Sequence, residues 1–347
     1  MAGAVVLVLI AIGAVVIRQQ QDSTNPFQSI QVGSTYGYSR AACDSVTGLV
    51  YVTNDHDRTV SVVDPAKGTA TATIKLADDP EGIAVDPDLH RLYVVGKGAE
   101  KGIEGTLIVI DTMTNAVVDT VTTGHSSWGV TVDSGTHSVY VTNLVGLDYN
   151  PGADGSSEPN TESSVVVIDP VTASITASIP VGYNAMNLAI DAASRTAYVT
   201  GDYHDSTNHS ITGLVKVDLA TNAVTGQIGL PAETHGVFDV AIDQGARTAY
   251  VTSTEQTFVI DLAAGALTGS ISISGPGFLG VDPGKHAVYV TGFSGQLQAI
   301  KVIDTEKHAV TTTIRAGSKI SLRGLVVDPR THTVYGLDFD QVVVIPR

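Results

Sequence analysis

Nine polar, charged or aromatic side chains lie four to eight residues before a repeated Asp, and these are the residues of the chain best suited to chemistry. The side chains that we expect to bind a ligand are Tyr38, Arg40, Glu81, His125, Trp128, Asn187, His235, Asp239 and Arg323. Guanidinium, carboxylate, amide, imidazole and indole groups can together orient a polar ligand in a concave site. The set therefore predicts a polar and aromatic binding site.

An enzymatic function is the alternative for the same residues. His125 or His235, beside Glu81 or Asp239, could act as general base and acid in a hydrolase or a lyase. The chain contains no Gly-x-Ser-x-Gly, His-Glu-x-x-His or Walker sequence, which are the motifs of several large enzyme classes. We therefore predict no catalytic residue and favour a binding or scaffold function. A solvated rim of ordinary loop residues is a third interpretation.

Metal-capable residue types occur in three further segments. Asp and His residues lie close together in 55–57 and in 202–205, with His209 nearby, but the regular spacing and cysteines of a structural zinc site are absent. The insertion 148–162 carries several oxygen ligands that Ca²⁺ could use, without the EF-hand spacing. We predict no cofactor, and we keep Ca²⁺ and Zn²⁺ as alternatives.

The elements that must position these residues are set by a repeat. An Asp closes a short apolar run seven times, and a Tyr opens a second run seven residues later, while successive copies are 39 to 58 residues apart. The pairs are Asp44/Tyr51, Asp86/Tyr93, Asp133/Tyr140, Asp191/Tyr198, Asp243/Tyr250, Asp282/Tyr289 and Asp328/Tyr335. A constant unit with variable insertions is typical of a repeat architecture. We interpret the Tyr residues as packing between repeats and the Asp residues as stabilising turns.

Each copy predicts four short antiparallel strands. In the copy at 80–124 the predicted strands are 82–86, 91–95, 106–111 and 116–121, separated by Pro, Gly, Asp and Asn turn residues. Such a unit is the blade of a β-propeller. The last copy has three strands, and 27–33 resembles the missing fourth strand. The sequence thus predicts an all-β, seven-bladed β-propeller over 27–347, in which the N-terminal strand completes the C-terminal blade and closes the ring.

Function in a propeller belongs to the loops at one end of the central channel, which we call the mouth. Two positions of the repeat lie at this end. The residues five before each Asp are Ser39, Glu81, Trp128, Met186, Phe238, Gly277 and Arg323. The residues four before each Asp are Arg40, Gly82, Gly129, Asn187, Asp239, Phe278 and Gly324. They differ in chemistry although the rest of the repeat is uniform, which favours a functional site here.

The tetrads at Tyr51–Asn54 and Tyr140–Asn143, with the recurring Val-Asp-Pro and Val-Ile-Asp marks, resemble the YVTN β-propeller family, also described as YncE-like or surface-layer-type. The resemblance covers about residues 27–347 and implies a seven-bladed propeller outside the cytoplasm. It implies no particular reaction and no catalytic residue. Lactonases, streptogramin lyases and amine dehydrogenase heavy subunits have similar propellers, and the first two illustrate the enzymatic alternative.

Composition and the N-terminus limit the partners. The formal net charge is −16, so the surface repels a phosphate backbone and no nucleic-acid partner is expected. Residues 2–17 form an unbroken apolar run that ends at Arg18 and predicts a signal or anchor segment over 1–18, followed by a polar linker over 19–26. We therefore expect an extracytoplasmic protein, membrane-anchored or secreted, that binds a protein, a cell-wall glycan or a small ligand.

Overall fold

The computed structural model describes residues 27–35, 37, 40–98, 104–124, 126–144, 162–204, 209–234, 236–275, 277–317 and 319–345. Within these ranges 28 strands form seven four-stranded antiparallel sheets. The helical structure described there is one 3₁₀ turn, Pro283–Lys285. The predicted all-β, seven-bladed propeller is confirmed.

Each blade has an inner, a second, a third and an outer strand. The inner strands of blades 1 to 7 are β2 (Ala41–Cys43), β6 (Pro80–Asp86), β10 (Ser127–Val132), β14 (Leu188–Asp191), β18 (Asp239–Asp243), β22 (Leu279–Asp282) and β26 (Gly324–Asp328). The second strands are β3 (Val50–Asn54), β7 (Arg91–Gly96), β11 (Val139–Asn143), β15 (Thr196–His204), β19 (Thr248–Thr252), β23 (Ala287–Ser294) and β27 (Thr333–Leu337).

The third strands are β4 (Thr59–Asp64), β8 (Gly105–Asp111), β12 (Ser163–Asp169), β16 (Ser210–Asp218), β20 (Gln256–Asp261), β24 (Leu297–Asp304) and β28 (Gln341–Ile345). The outer strands are β5 (Thr69–Lys75), β9 (Ala116–Gly124), β13 (Ser174–Gly182), β17 (Ala223–Gly229), β21 (Ala266–Ser272), β25 (Ala309–Arg315) and, in blade 7, β1 (Gln28–Gln31). In blade 2 the strands extend the predicted ranges by one to three residues at an end.

The ring closes as predicted, through β1. This strand pairs antiparallel with β28, with Ile30 opposite Val342. Phe27 and Ile30 are both buried, and Ile30 packs with blade 7 and blade 1 residues. Each inner strand contacts the inner strands of its two neighbours, and β26 contacts β2. Both ends of the repeat region are therefore held in one blade.

The second strands form the centre of the core. Every residue of β3, β11 and β19 is buried, because both faces of each sheet are covered by adjacent blades. Tyr140 of blade 3 packs with Val199 and Val215 of blade 4, and Tyr198 of blade 4 packs with Val240 and Ile260 of blade 5. The interpretation of the repeated Tyr residues as packing between blades is confirmed.

Six of the seven repeated Asp residues, all except Asp282, accept a hydrogen bond from the turn that follows, at the end of the channel opposite the mouth. Asp44 Oδ1 accepts hydrogen bonds from the N–H groups of Val46 and Thr47 at 2.7 and 3.0 Å. Asp243 Oδ1 accepts equivalent bonds from Gly245 and Ala246. This is the predicted Asx turn.

The same carboxylates also join neighbouring blades, which the sequence did not predict. In blades 3, 4, 5 and 7, the residue four after the Asp is in the left-handed region, and its cationic or imidazole side chain reaches the Asp of the preceding blade. We call these contacts the latches. They are His137 Nδ1 to Asp86 Oδ2 at 2.7 Å, Arg195 Nη2 to Asp133 Oδ2 at 3.2 Å, Arg247 Nη2 to Asp191 Oδ2 at 2.7 Å, and His332 Nδ1 to Asp282 Oδ1 at 2.8 Å.

The seam between blades 7 and 1 uses a different residue. The latch position of blade 1 is Gly48, and Arg330 of blade 7 fills the space where its side chain would be. Arg330 Nη1 donates to the carbonyl oxygen of Val46 at 3.1 Å. In the seam between blades 5 and 6, Asp243 Oδ2 is buried without a hydrogen-bond partner among the described residues.

Candidate functional site

A cavity of about 170 Å³ lies at the mouth end of the inner strands. Its lining includes all seven residues that precede the repeated Asp by four positions, namely Arg40, Gly82, Gly129, Asn187, Asp239, Phe278 and Gly324. The structure thus brings together one residue from each blade, and we call this cavity the channel site. Among the described residues, those five before the Asp are not part of its lining.

The repeat itself positions four of these residues through a threonine. In blades 1, 3, 4 and 6, the N–H group of the residue four before the Asp donates to the Oγ1 atom of the Thr in the Tyr-Val-Thr segment of the same blade. These bonds are Arg40 to Thr53 at 3.0 Å, Gly129 to Thr142 at 2.8 Å, Asn187 to Thr200 at 3.0 Å and Phe278 to Thr291 at 2.9 Å. Sequence reasoning missed this role, although the recurrence of Thr after Tyr-Val was its signal.

Two of the seven lining residues are dictated by packing. A Cβ atom on Gly82 would lie 2.4 Å from the carbonyl oxygen of Trp128, and one on Gly129 would lie 2.6 Å from that of Met186. Adjacent inner strands therefore approach too closely for a side chain at these positions. Packing therefore explains the residue type at these two positions and does not explain the variety at the other five.

An ion pair crosses the channel site. Arg40 of blade 1 places Nη1 3.3 Å from Asp239 Oδ2 of blade 5, and the side chains are 25% and 13% exposed. Asp239 also accepts hydrogen bonds from the N–H groups of Leu279 and Val240 at 3.2 and 3.0 Å. Burial raises the pKa of the Asp239 carboxyl, although the charge of Arg40 and these hydrogen bonds oppose the shift. The Arg40 guanidinium also lies 5.6 Å from the centre of the Phe278 ring.

A second charged group lies beside the channel site. Lys97 Nζ is 3.4 Å from Glu81 Oε1 and 4.7 Å from the centre of the Trp128 ring. Burial raises the pKa of Glu81, and the charge of Lys97 acts in the opposite direction. Glu81 and Trp128 therefore both contact Lys97. Sequence reasoning missed Lys97 because it lies outside the two repeated positions.

Asn187 and Arg323 have different surroundings. The Asn187 amide nitrogen donates to the carbonyl oxygen of Phe238, and Asn187 lines the cavity. The Arg323 guanidinium stacks 4.3 Å from the centre of the Phe339 ring. Arg323 is outside the lining of the channel site, so only Asn187 of these two belongs to it.

Tyr38, His125 and His235 lie outside the described residues. The pairing of either His with Glu81 or Asp239, on which the acid–base alternative depends, therefore stays a prediction. Of the nine predicted residues, the structure gathers Arg40, Asn187 and Asp239 into one cavity and places Glu81 and Trp128 in an adjacent cluster.

The metal-capable segments have other partners. Asp57 Oδ2 accepts a hydrogen bond from the N–H group of Ser34 at 2.7 Å, and Asp57 Oδ1 lies 3.0 Å from His56 Nδ1. Asp202 accepts hydrogen bonds from Asn184 and Thr212. Asp205 and positions 148–161 of the acidic insertion lie outside the described residues.

Within the described part of the chain, one group has three potential metal ligands close together: Asp86, Asp88 and His137, whose ligand atoms lie within 4.8 Å of one another. Asp86 and His137 already form a latch, and Asp86 Oδ1 accepts hydrogen bonds from the N–H groups of Asp88 and Leu89. Arg195 and Arg247 occupy the position of His137 in the next two blades. We therefore interpret the group as part of the seam.

Comparison with known proteins supports the fold. No family model matches the chain, and no curated protein is similar in sequence. Among solved structures, one titled "Kuenenia stuttgartiensis Hydrazine Synthase" is similar, with a TM-score of 0.71 and 16% sequence identity over 94% of this chain and 98% of that chain. At this identity the likeness concerns the propeller fold alone. Membership of the YVTN family stays a prediction.

No helix among the described residues is long and apolar enough to cross a membrane. The apolar run 2–17 and the linker 19–26 lie outside those residues.

Proposed function

We propose that this propeller is a binding module that holds a small polar ligand in the channel site. The observation that carries the proposal is the convergence of Arg40, Asn187 and Asp239 in one cavity at equivalent positions of three blades. Burying a charged pair has a desolvation cost that a purely structural ring could avoid with apolar residues. The volume of the cavity suits a small molecule better than a protein segment or a glycan chain.

A thermal-shift screen of small polar compounds on the purified chain tests this proposal. We expect at least one compound to raise the melting temperature of the wild-type protein and to lose its effect in the Arg40→Gln variant. The matched control is Arg58→Gln, because Arg58 forms an exposed pair with Asp79 at 2.6 Å and does not line the channel site. Equal shifts in the wild type and in Arg40→Gln would place binding elsewhere.

Acid–base catalysis at the same site is our second candidate, and one observation favours it. Asp239 is a buried carboxyl with a raised pKa beside a cation, an arrangement that general acids and bases often have. A hydrolase or lyase of this kind should turn over lactones or related substrates and lose that activity in Asp239→Asn. Turnover that is the same in this variant would exclude Asp239 as the acid or base.

The cellular setting that we propose is extracytoplasmic. The apolar run 2–17 and the resemblance to the exported YVTN propellers support it. Fractionation of cells that express the full chain with a C-terminal tag tests this, together with the accessibility of the tag to added protease on intact cells. A tag found in the cytosolic fraction would contradict export.

A further inference from the structure

The ion pair in the channel site restricts the kind of ligand that can enter it. Arg40 and Asp239 make one contact, Nη1 to Oδ2 at 3.3 Å, instead of the two parallel hydrogen bonds that a guanidinium and a carboxylate can form. The Arg40 guanidinium has no other hydrogen-bond partner among the described residues, so its remaining N–H groups can donate to an acceptor on a ligand. The pair is therefore able to open.

Opening the pair has an electrostatic cost that depends on the charge of the ligand. Asp239 is largely buried, and a buried charge that loses its partner is strongly destabilising. An anion on Arg40 would leave Asp239 without its cation, and a cation on Asp239 would leave Arg40 without its anion. A ligand that carries both charges replaces each partner, so both protein charges stay paired.

The remaining lining agrees with a small ligand of this kind. A cavity of about 150 Å³ in another protein holds a benzene molecule, and the channel site is about 170 Å³. A molecule of roughly six non-hydrogen atoms, such as alanine, therefore fits. The Asn187 amide nitrogen donates one of its two N–H groups to the carbonyl oxygen of Phe238. The oxygen of the same amide can accept a hydrogen bond from a donor such as an ammonium group.

We propose, building on the binding function above, that the channel site takes a small zwitterion of the α-amino-acid type, with its carboxylate on Arg40 and its ammonium group on Asp239. The carboxylate takes the N–H groups of Arg40 that have no partner among the described residues. The ammonium group bonds to Asp239 Oδ2 in place of Arg40 Nη1. The Phe278 ring, which already lies beside Arg40, supplies an apolar wall for the rest of the molecule.

Three compounds of nearly equal size separate the possibilities: L-alanine, propionate, which lacks the ammonium group, and ethylamine, which lacks the carboxylate. Titration calorimetry on the purified full chain at neutral pH measures each Kd. We expect alanine to bind at least tenfold more tightly than either of the other two. This comparison uses only the wild-type protein, so it does not depend on the folding of any variant.

Two charge-neutralising variants should then change the preference in opposite directions. In Asp239→Asn, propionate should bind at least as tightly as alanine, because no buried carboxylate is left unpaired. In Arg40→Gln, ethylamine should bind at least as tightly as alanine, because no guanidinium is left unpaired. Arg58→Gln is the control for a lost surface cation and should leave the wild-type order unchanged. Melting temperatures confirm that each variant is folded.

Propionate or ethylamine binding the wild type as tightly as alanine would overturn the assignment. So would a screen in which none of the three binds while another compound binds and loses affinity in Arg40→Gln; the proposed binding function would then stand and only the ligand class would fall. If no compound binds in an Arg40-dependent way, both proposals fall.

Discussion

The two ends of the channel are built from the same repeat and differ in how much their residue types vary from blade to blade. At the end with the turns, each blade has an Asp, and four of the seams have the same latch between adjacent blades. At the mouth, the residues four positions before that Asp range from Gly to Arg, and the ion pair there joins blades 1 and 5 instead of neighbours. Similar contacts between neighbouring blades hold the ring together, whereas varied residues that meet across the channel form the candidate site.

The largest effect is expected from removing the strand that closes the ring. Deleting 27–33 removes β1 and exposes the surface that Phe27 and Ile30 cover. We expect a loss of about 5 kcal/mol or more in the free energy of unfolding, since each buried side chain alone contributes several kcal/mol. Urea denaturation measures it. A variant that lacks 1–26 but keeps 27–33 is the control, and equal stability of the two variants would contradict the closure.

An Asp that forms a latch should contribute more to the free energy of unfolding than an Asp in an equivalent turn that forms none. Asp191 is fully buried and bonds to Arg247 and Ser194, whereas Asp243 has only its turn hydrogen bonds among the described residues. We expect Asp191→Ala to lower the free energy of unfolding by about 2 kcal/mol and Asp243→Ala to lower it by about 1 kcal/mol. The first value is kept small because Arg247 is partly exposed to solvent. Urea denaturation of both variants compares them. Equal losses would show that the latch adds nothing to the turn.

At the mouth, a glycine set by packing should tolerate a side chain less well than a glycine further along an inner strand. Gly82→Ala would place Cβ against the carbonyl oxygen of Trp128, so we expect a loss of about 1 to 2 kcal/mol. The control is Gly280→Ala in β22, where the nearest atom is a side-chain methyl of Val327 at 3.1 Å, and a smaller loss is expected. Thermal denaturation ranks the two. The opposite order would mean that the inner strands can separate.

As the pH falls, alanine binding at the mouth should weaken before the stabilisation by the Asp191 turn is lost. Burial raises the pKa of Asp239, so its carboxylate, and with it alanine binding, should be lost at a higher pH than for an ordinary Asp at about 3.9. Burial also acts to raise the pKa of Asp191, but hydrogen bonds from Ser194 and Arg247 outweigh it and lower that pKa. The stabilisation by Asp191 is therefore present above the ordinary value and is lost only as the pH falls through the lowered one.

Calorimetric titrations and melting curves over a pH series measure the two effects separately. We expect alanine affinity to fall while the melting temperature is still near its neutral value. In Asp239→Asn the residual affinity for alanine should not follow this acid transition. A simultaneous decline of affinity and stability in the wild type would mean that the two ends do not titrate independently.

Much of the fold could be read from the sequence because each blade depends on local signals. Turn-forming Asp residues and apolar runs repeat at short range, and the match of 27–33 to an outer strand predicted the closure. The latches were missed because the partner of each Asp belongs to the next blade, 50 to 62 residues away, and insertions change that separation. Lys97 was missed for a related reason, since it follows a second strand and reaches Trp128 of the next blade.

By itself, the sequence determined the seven blades, their closure through β1 and the mouth position of each repeat, because these follow from hydrophobic periodicity and turn chemistry within a short stretch of chain. Only the tertiary structure decided that Arg40 meets Asp239, 199 residues further along the chain. Which blades face each other across a ring depends on the number, tilt and spacing of all the blades together. A charge pair across the channel is thus a property of the assembled ring.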